Sequence, residues 1–323
     1  MESQKERNSS YPAFPQYHAS KLDNEVDFRE LFNALWKGKW IVLSVTLLFT
    51  IGALVLALSL PNIYKADALL APSESTNGGG LSKMAGQLGG LAALAGVNLG
   101  SGESSQTELA VQVMKSRLFI EQFISQHDLL VPLMAVKGWD INTNQLIVDE
   151  DVYDSIDNKW LRKPDGLRGA KPTYQEAFEV FSKEIFSINQ NEESGLYTVS
   201  IKYYSPYVAE QWVNWLIEDI NKVMRERTIK ETSQNLAYLN KQLQKTAVAD
   251  MQSTFYKLIE EQTKSLMLAE VQEEFVFRVI DPAVVPELKD SPKRALICIL
   301  GMLFGGLLGS AIVLARFSFN TKK

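Results

Sequence analysis

Two long stretches without a charged residue, one near each end of the chain, most restrict how this sequence can fold. They cover residues 41–60 and 295–314. About twenty helical residues, at about 1.5 Å each, match the roughly 30 Å hydrocarbon core of a bilayer. We therefore predict transmembrane helices at residues 40–60 and 295–314, with the intervening residues on one side of a membrane.

The lysines around the first stretch predict its orientation. Lys37 and Lys39 precede it, and only Lys65 follows it closely. Basic residues favour the cytoplasmic side, and an even number of spans returns the chain to that side. We therefore predict cytoplasmic tails at residues 1–39 and 315–323 and an exported domain at residues 61–294.

Charge and cysteine content narrow the classes of partner. The net charge of −5 and the pI of about 5.3 argue against nucleic acid as a partner. The only cysteine, Cys298, lies in the second span, so an intramolecular disulfide is impossible. A run of Leu, Ala and Gly at residues 81–100 fits three interpretations: a third span, a loop, or a segment packed on the membrane or on a neighbouring subunit.

The exported domain shows strand and helix patterns in a defined order. Strand-like alternation occurs at both ends of the domain and in a central hairpin, and two helical stretches separate that hairpin from the last strand. Capping boxes are predicted at Ser105–Glu108 and Thr173–Glu176, and each of them begins a helix. A loop is predicted between these two helices. The predicted strands cover residues 63–71, 185–189, 196–204 and 275–281, the predicted helices 206–245 and 249–274, and the predicted loop 136–171.

These patterns together predict an α/β membrane protein. Two terminal transmembrane helices flank a periplasmic α/β base, and long helices project from this base over about residues 206–274. Apolar side chains at helical spacing mark the projection. They are Leu236, Leu239, Leu243 and Phe255.

Two further groups of residues are candidate sites. Gly301, Gly305 and Gly309 form a stripe in the second span, and such a stripe allows another helix to approach closely in lipid. A segment rich in proline, which includes Pro282, Pro286 and Pro292, precedes that span.

Residues suited to catalysis or metal binding are scarce. His18 and His127 are the only histidines, and there is no Cys/His cluster. The acidic residues of Asp149–Asp157 lack the glycine of a calcium loop, and no G-x-x-x-x-G-K-[ST] motif occurs. We predict a protein that is not an enzyme, with no catalytic, cofactor or metal site.

Several short motifs, in order between the two spans, carry a resemblance that covers nearly the whole chain. The chain resembles the Wzz-type chain-length determinants, which are polysaccharide co-polymerases of bacterial inner membranes. The motifs are Asp27–Leu31, Met114–Ile124, Tyr203–Pro206, Met267–Glu270, Asp281–Pro286 and Ser291–Arg294.

The resemblance implies a periplasmic homo-oligomer without enzymatic activity. Such a protein sets the modal length of O-antigen that a Wzy-type polymerase extends as undecaprenyl-linked glycan. Capsule or another surface polysaccharide is the alternative polymer. A two-span periplasmic sensor is a less favoured alternative, because nine residues after the second span are too few for an output module.

Overall fold

The computed structural model describes residues 35–73, 102–246 and 248–321, without the side chains of residues 102–105 and 318–321. Most of the predicted N-terminal tail and the whole Leu/Ala/Gly run at 81–100 lie outside the described residues. The chain forms two compact units. Among the described residues, one unit comprises those up to residue 57 and those from residue 295 onwards, and the other comprises those between residues 58 and 294.

The described residues form eight α-helices and eight β-strands. The helices are α1 (Lys39–Ser59), α2 (Gly102–Lys115), α3 (Arg117–Gln126), α4 (Leu130–Ala135), α5 (Tyr174–Val180), α6 (Pro206–Lys245), α7 (Ala249–Val271) and α8 (Arg294–Thr321), with a π-helical turn at Phe181–Ile185. The strands are β1 (Tyr64–Pro72), β2 (Val136–Asp140), β3 (Gln145–Val148), β4 (Tyr153–Asp154), β5 (Lys159–Trp160), β6 (Phe186–Gln190), β7 (Tyr197–Tyr203) and β8 (Phe277–Asp281).

The main sheet of the second unit has the order β6-β7-β1-β8, and all its neighbours are antiparallel. Strand β1 lies inside the sheet, with β7 on one side and β8 on the other. Its pairing with β8 is irregular between Leu69 and Leu70. The four strands and the hairpin predicted from alternation are confirmed, with small shifts at their ends.

One face of this sheet packs against the N-terminal half of α6. Alternate residues of β1 and β7 are buried, as the period of two predicts, and Ser200 on the other face of β7 is buried as well. On α6 the buried residues fall mainly between Pro206 and Met224, and beyond Met224 only Thr232 is buried. The core therefore holds the start of this 40-residue helix and leaves its second half to pack on α7.

The start of α6 follows from its capping residues. The Ser205 hydroxyl accepts a hydrogen bond from the N–H of Val208, and Pro206 occupies the first turn. The helix ends at Lys245, and α7 begins at Ala249, which confirms the predicted break between two long helices.

Two predictions for the middle of the chain are wrong. The helix predicted from Ser105 begins at Gly102, and it breaks at Ser116. The Ser116 hydroxyl ends α2 by donating to the carbonyl of Val113 (2.7 Å) and begins α3 by accepting from the N–H of Phe119. The predicted loop at 136–171 contains two hairpins, β2–β3 and β4–β5.

Candidate interaction surfaces

The glycine stripe of α8 lies against α1 within the first unit. A Cβ atom at Gly305 would lie 2.8 Å from the Cβ of Phe49 and 2.9 Å from the Cα of Thr46. One at Gly309 would lie 2.9 Å from the Cα of Val42. One at Gly301 would overlap the Cβ of Ala53. These contacts involve backbone atoms, so the two helices approach at a distance that only glycine permits here.

Other glycines in the same helices do not make such contacts. A Cβ at Gly306 would meet only the hydroxyl of Thr46, at 3.9 Å, and one at Gly52 would meet no described atom within 4 Å. The close approach is therefore confined to one face of α8. Its role as a packing surface in lipid remains a prediction.

The proline segment that precedes α8 is held against the start of β1. The N–H of Ile63 donates to the carbonyl of Ser291, and the N–H of Asp290 donates to the carbonyl of Ile63, each at 2.9 Å. Lys289 and Arg294 both donate to the Asn62 side-chain oxygen, at 3.2 and 3.0 Å.

The three prolines predicted as a site differ in exposure. Pro282 is exposed, Pro286 and Pro292 are half-buried, and the peptide bond before Pro292 is cis. The structure thus places them in a segment that joins β8 to α8, and their function remains a prediction.

The four residues predicted for the helical projection lie on α6 and α7, which pack against each other. All four are half-buried, so each keeps part of its side chain exposed: Leu236, Leu239, Leu243 and Phe255. Nearby apolar side chains, including Tyr238 and Tyr256, are largely exposed.

His127 contributes to packing between helices. It is the C-terminal cap of α3, and its Nε2 atom lies 2.9 Å from a carboxylate oxygen of Asp219 on α6. Its ring stacks on Trp215 with centroids 4.2 Å apart. Within the described residues, no group of three or more His, Cys, Asp and Glu side chains could hold a metal ion.

Sequence reasoning missed Asn221, a buried amide that connects α6 to β8. Its side-chain oxygen accepts from the N–H groups of Val276 (2.8 Å) and Phe277 (2.9 Å). Its NH₂ group donates to the carbonyl of Phe277 at 3.0 Å. The side chain therefore satisfies backbone groups of Val276 and Phe277 at the point where β8 begins.

A second missed contact joins the segment after β5 to the start of α5. Arg162 donates to both carboxylate oxygens of Glu176, at 2.7 and 3.2 Å, and to the carbonyl of Gly169 at 2.8 Å. Glu176 also completes the predicted capping box with Thr173, which is confirmed. The hydrogen bonds from Arg162 hold the pKa of Glu176 below its ordinary value.

We expect Glu176→Gln to lower the free energy of unfolding of the full chain in detergent by about 1–3 kcal/mol at neutral pH. Because the folded pKa of Glu176 is lowered, its contribution is present above its ordinary value of 4.5 and disappears as the pH falls through the folded pKa. Unfolding curves of variant and wild type should therefore converge in acid.

Glu179→Gln is the matched control, because Glu179 lies on the same helix and makes only an exposed pair with Lys183 at 3.9 Å. Exposed pairs contribute little, so this variant should behave as the wild type does. Equal effects of the two substitutions would contradict the assignment.

Residues 24–127, which include α1, β1, α2 and α3, match the protein-family model described as Wzz, chain length determinant protein. These residues are therefore a chain length determinant domain of the Wzz type. Residues 237–318 of the same chain match a second model, GNVR, described as a G-rich domain on a tyrosine kinase. The recognition of a Wzz-type chain-length determinant from its motifs is confirmed.

Solved structures of polysaccharide co-polymerases also match this chain. A full-length bacterial polysaccharide co-polymerase is 13% identical over 90% of this chain and 98% of its own, with a TM-score of 0.37. A fragment of WzzB, a polysaccharide co-polymerase from Salmonella Typhimurium, is 15% identical over 71% of this chain and 100% of its own, with a TM-score of 0.27. No curated protein sequence matches the chain.

Proposed function

We propose that this protein sets the modal length of lipopolysaccharide O-antigen without making or breaking glycosidic bonds. The match of residues 24–127 to the chain length determinant family carries the proposal. A Wzy-type polymerase extending undecaprenyl-linked glycan is the proposed partner. Capsule or another surface polysaccharide is the alternative polymer, and the lipopolysaccharide ladder described below distinguishes the two.

The proposed mechanism is regulation by binding. His127, the one histidine in the exported domain, is engaged by Asp219 and Trp215, which supports a role in packing. A protein without a reaction to catalyse acts through different affinities for different states of its partner. A difference of about 1–3 kcal/mol between states of the polymerase or of the growing glycan changes a length distribution strongly.

The proposed location is the bacterial inner membrane, with residues 61–294 in the periplasm and both termini in the cytoplasm. Helix α1 and residues Arg294–Phe317 of α8 are long and apolar enough to cross a membrane. Most of their large apolar side chains are exposed, which fits contact with lipid. In a Cys298→Ser chain, a cysteine at Leu167 should react with an impermeant thiol reagent added from the periplasmic side, and one at Asn320, beyond the second apolar stretch, should not. The reverse pattern would contradict this topology.

We also propose a closed homo-oligomer held mainly by the periplasmic domain. The exposed apolar side chains on the second half of α6 and on α7 support an interface between copies, since single chains rarely expose large apolar patches. Light scattering of the intact protein in detergent should give a mass of several subunits. A stable monomer would contradict this proposal.

A strain without the gene tests the function. We expect its lipopolysaccharide to show polymer of broadly distributed length, dominated by short chains, in place of a preferred length. The gel ladder of the strain, with and without the gene restored, is the measurement. Complete loss of polymer, or cleavage of glycan by the purified protein, would overturn the regulatory role. A normal lipopolysaccharide ladder with altered capsule length would reassign the polymer.

A further inference from the structure

Four segments of the second unit meet at one end of its main sheet. Tyr64 begins β1 and pairs with Tyr203, the last residue of β7, and α6 begins three residues later. Ile63 is hydrogen bonded to Asp290 and Ser291, which lead into α8. The chain therefore enters and leaves the exported domain at the same end of the sheet.

Three aromatic side chains from separate elements cluster at this end. The Trp139 ring of β2 lies 5.7 Å from the Tyr64 ring in an edge-on arrangement and 6.2 Å from the Tyr207 ring in the first turn of α6. The Trp139 N–H donates to the side-chain oxygen of Asn144 at 2.9 Å. Tyr207 is 51% exposed, so the cluster lies at the surface and has polar groups at its edge.

Two largely exposed aliphatic side chains belong to segments that lead to this cluster: Ile141 follows Trp139 by two residues, and Leu288 precedes by two residues Asp290, whose N–H donates to the carbonyl of Ile63 beside Tyr64. Ile141, in the turn of the β2–β3 hairpin, is 71% exposed, and Leu288, before Asp290, is 85% exposed. The turn does not depend on Ile141, because Asp140 accepts from the Asn142 N–H and the Thr143 hydroxyl. We call these five residues the aromatic end: Tyr64, Trp139, Ile141, Tyr207 and Leu288.

Chain length keeps the aromatic end near the ends of both apolar helices. Four residues lie between Ser59, the last of α1, and Tyr64, and two lie between Ser291 and Arg294, the first of α8. At no more than about 3.6 Å per residue, these connections reach roughly 20 Å at most. Lys289 and Lys293 lie in the same short approach and suit anionic head groups.

We propose that the aromatic end lies in the head-group layer of the bilayer and is a third membrane contact of the chain. Trp and Tyr are the residues enriched at that depth, where a ring has an apolar body and a hydrogen-bonding edge. Ile141 and Leu288 extend towards the acyl boundary, and Lys289 and Lys293 face lipid phosphates. The proposal rests on the membrane placement of α1 and α8 proposed above.

Lipid quenching of a fluorophore tests this contact in the full chain. In a Cys298→Ser background, the label is attached at Ile141→Cys, and the protein is reconstituted into vesicles of phosphatidylethanolamine and phosphatidylglycerol. Some of the lipid carries a nitroxide near the head group. We expect a blue-shifted emission and a loss of fluorescence at position 141.

Two labelled controls make the result decisive. Val248 is 56% exposed and follows the far end of the 40-residue α6, roughly 60 Å along that helix from Tyr207. A label at Val248→Cys should therefore show no loss of fluorescence. Leu300→Cys lies in α8 and should lose fluorescence, most strongly with a nitroxide deeper in the acyl chain.

Three outcomes would overturn the proposal. Position 141 could behave as position 248 does while position 300 is quenched, which would place the aromatic end in water. A blue shift at position 141 without quenching by lipid would identify a protein partner, such as a second copy of the chain. No quenching at position 300 would refute the membrane placement itself, and the aromatic end with it.

Discussion

Replacing Asn221 with leucine is expected to lower the free energy of unfolding by about 3–5 kcal/mol, because each buried polar group left unpaired costs about 1–3 kcal/mol. The substitution retains most of the side-chain volume, and it leaves the N–H groups of Val276 and Phe277 and the Phe277 carbonyl without their partner. Asn221 is 4% exposed, so water cannot substitute easily. Denaturant unfolding of the full chain in detergent is the measurement.

Asn240→Leu is the control on the same helix. Asn240 is exposed and donates only to the carbonyl of Leu236, one turn earlier in α6. Its replacement should change the stability by no more than about 0.5 kcal/mol. If both variants unfolded at the same denaturant concentration as the wild type, Asn221 would not be the connection between α6 and β8 described above.

Gly305→Leu is expected to remove the preferred polymer length while residues 58–294 remain folded. Even the Cβ atom would lie too close to Phe49 and to the backbone at Thr46, so α1 and α8 must separate or shift. Overpacking of this kind costs about 1–3 kcal/mol or more, and helix association in lipid relies on such close packing. The lipopolysaccharide ladder and the protease resistance of the exported domain are the two measurements.

Gly306→Leu and Gly52→Leu separate helix packing from the mere loss of a glycine. Gly306 is next in sequence to Gly305, and Gly52 lies on α1, yet neither position is crowded. Both variants should retain the preferred length. Loss of the preferred length in all three would indicate that helix composition matters and that the α1–α8 contact does not.

Local signals in the sequence predicted much of the fold correctly. The capping residues Thr173 and Ser205 act through hydrogen bonds within three residues of themselves, and the alternation in β1 and β7 reflects burial of one sheet face. Gly195, with a φ of 71°, marks the end of the turn between β6 and β7. Each of these features depends on neighbours along the chain, so a single sequence reveals it.

Contacts between distant residues could not be predicted in this way. The partners of Asn221 lie more than fifty residues further along the chain, and an asparagine on a long helix is ordinarily a solvated side chain. The hairpins β2–β3 and β4–β5 are short, and β2 itself contains Gly138, a residue type that favours a loop in a sequence-based prediction. The glycine stripe predicted a helix partner, and only the structure identifies α1 as the neighbour.

The position of β1 in the sheet affects the order in which the chain can fold during synthesis. Its pairs with β8, such as Leu70 with Val279, join residues that are about two hundred positions apart. Pairs this far apart in sequence form slowly, since a long loop must close first. One side of β1 therefore stays unpaired until almost all of residues 58–294 have left the ribosome. Until then the open strand is a site where wrong pairing can begin, and arrival of β8 removes it just before α8 is made.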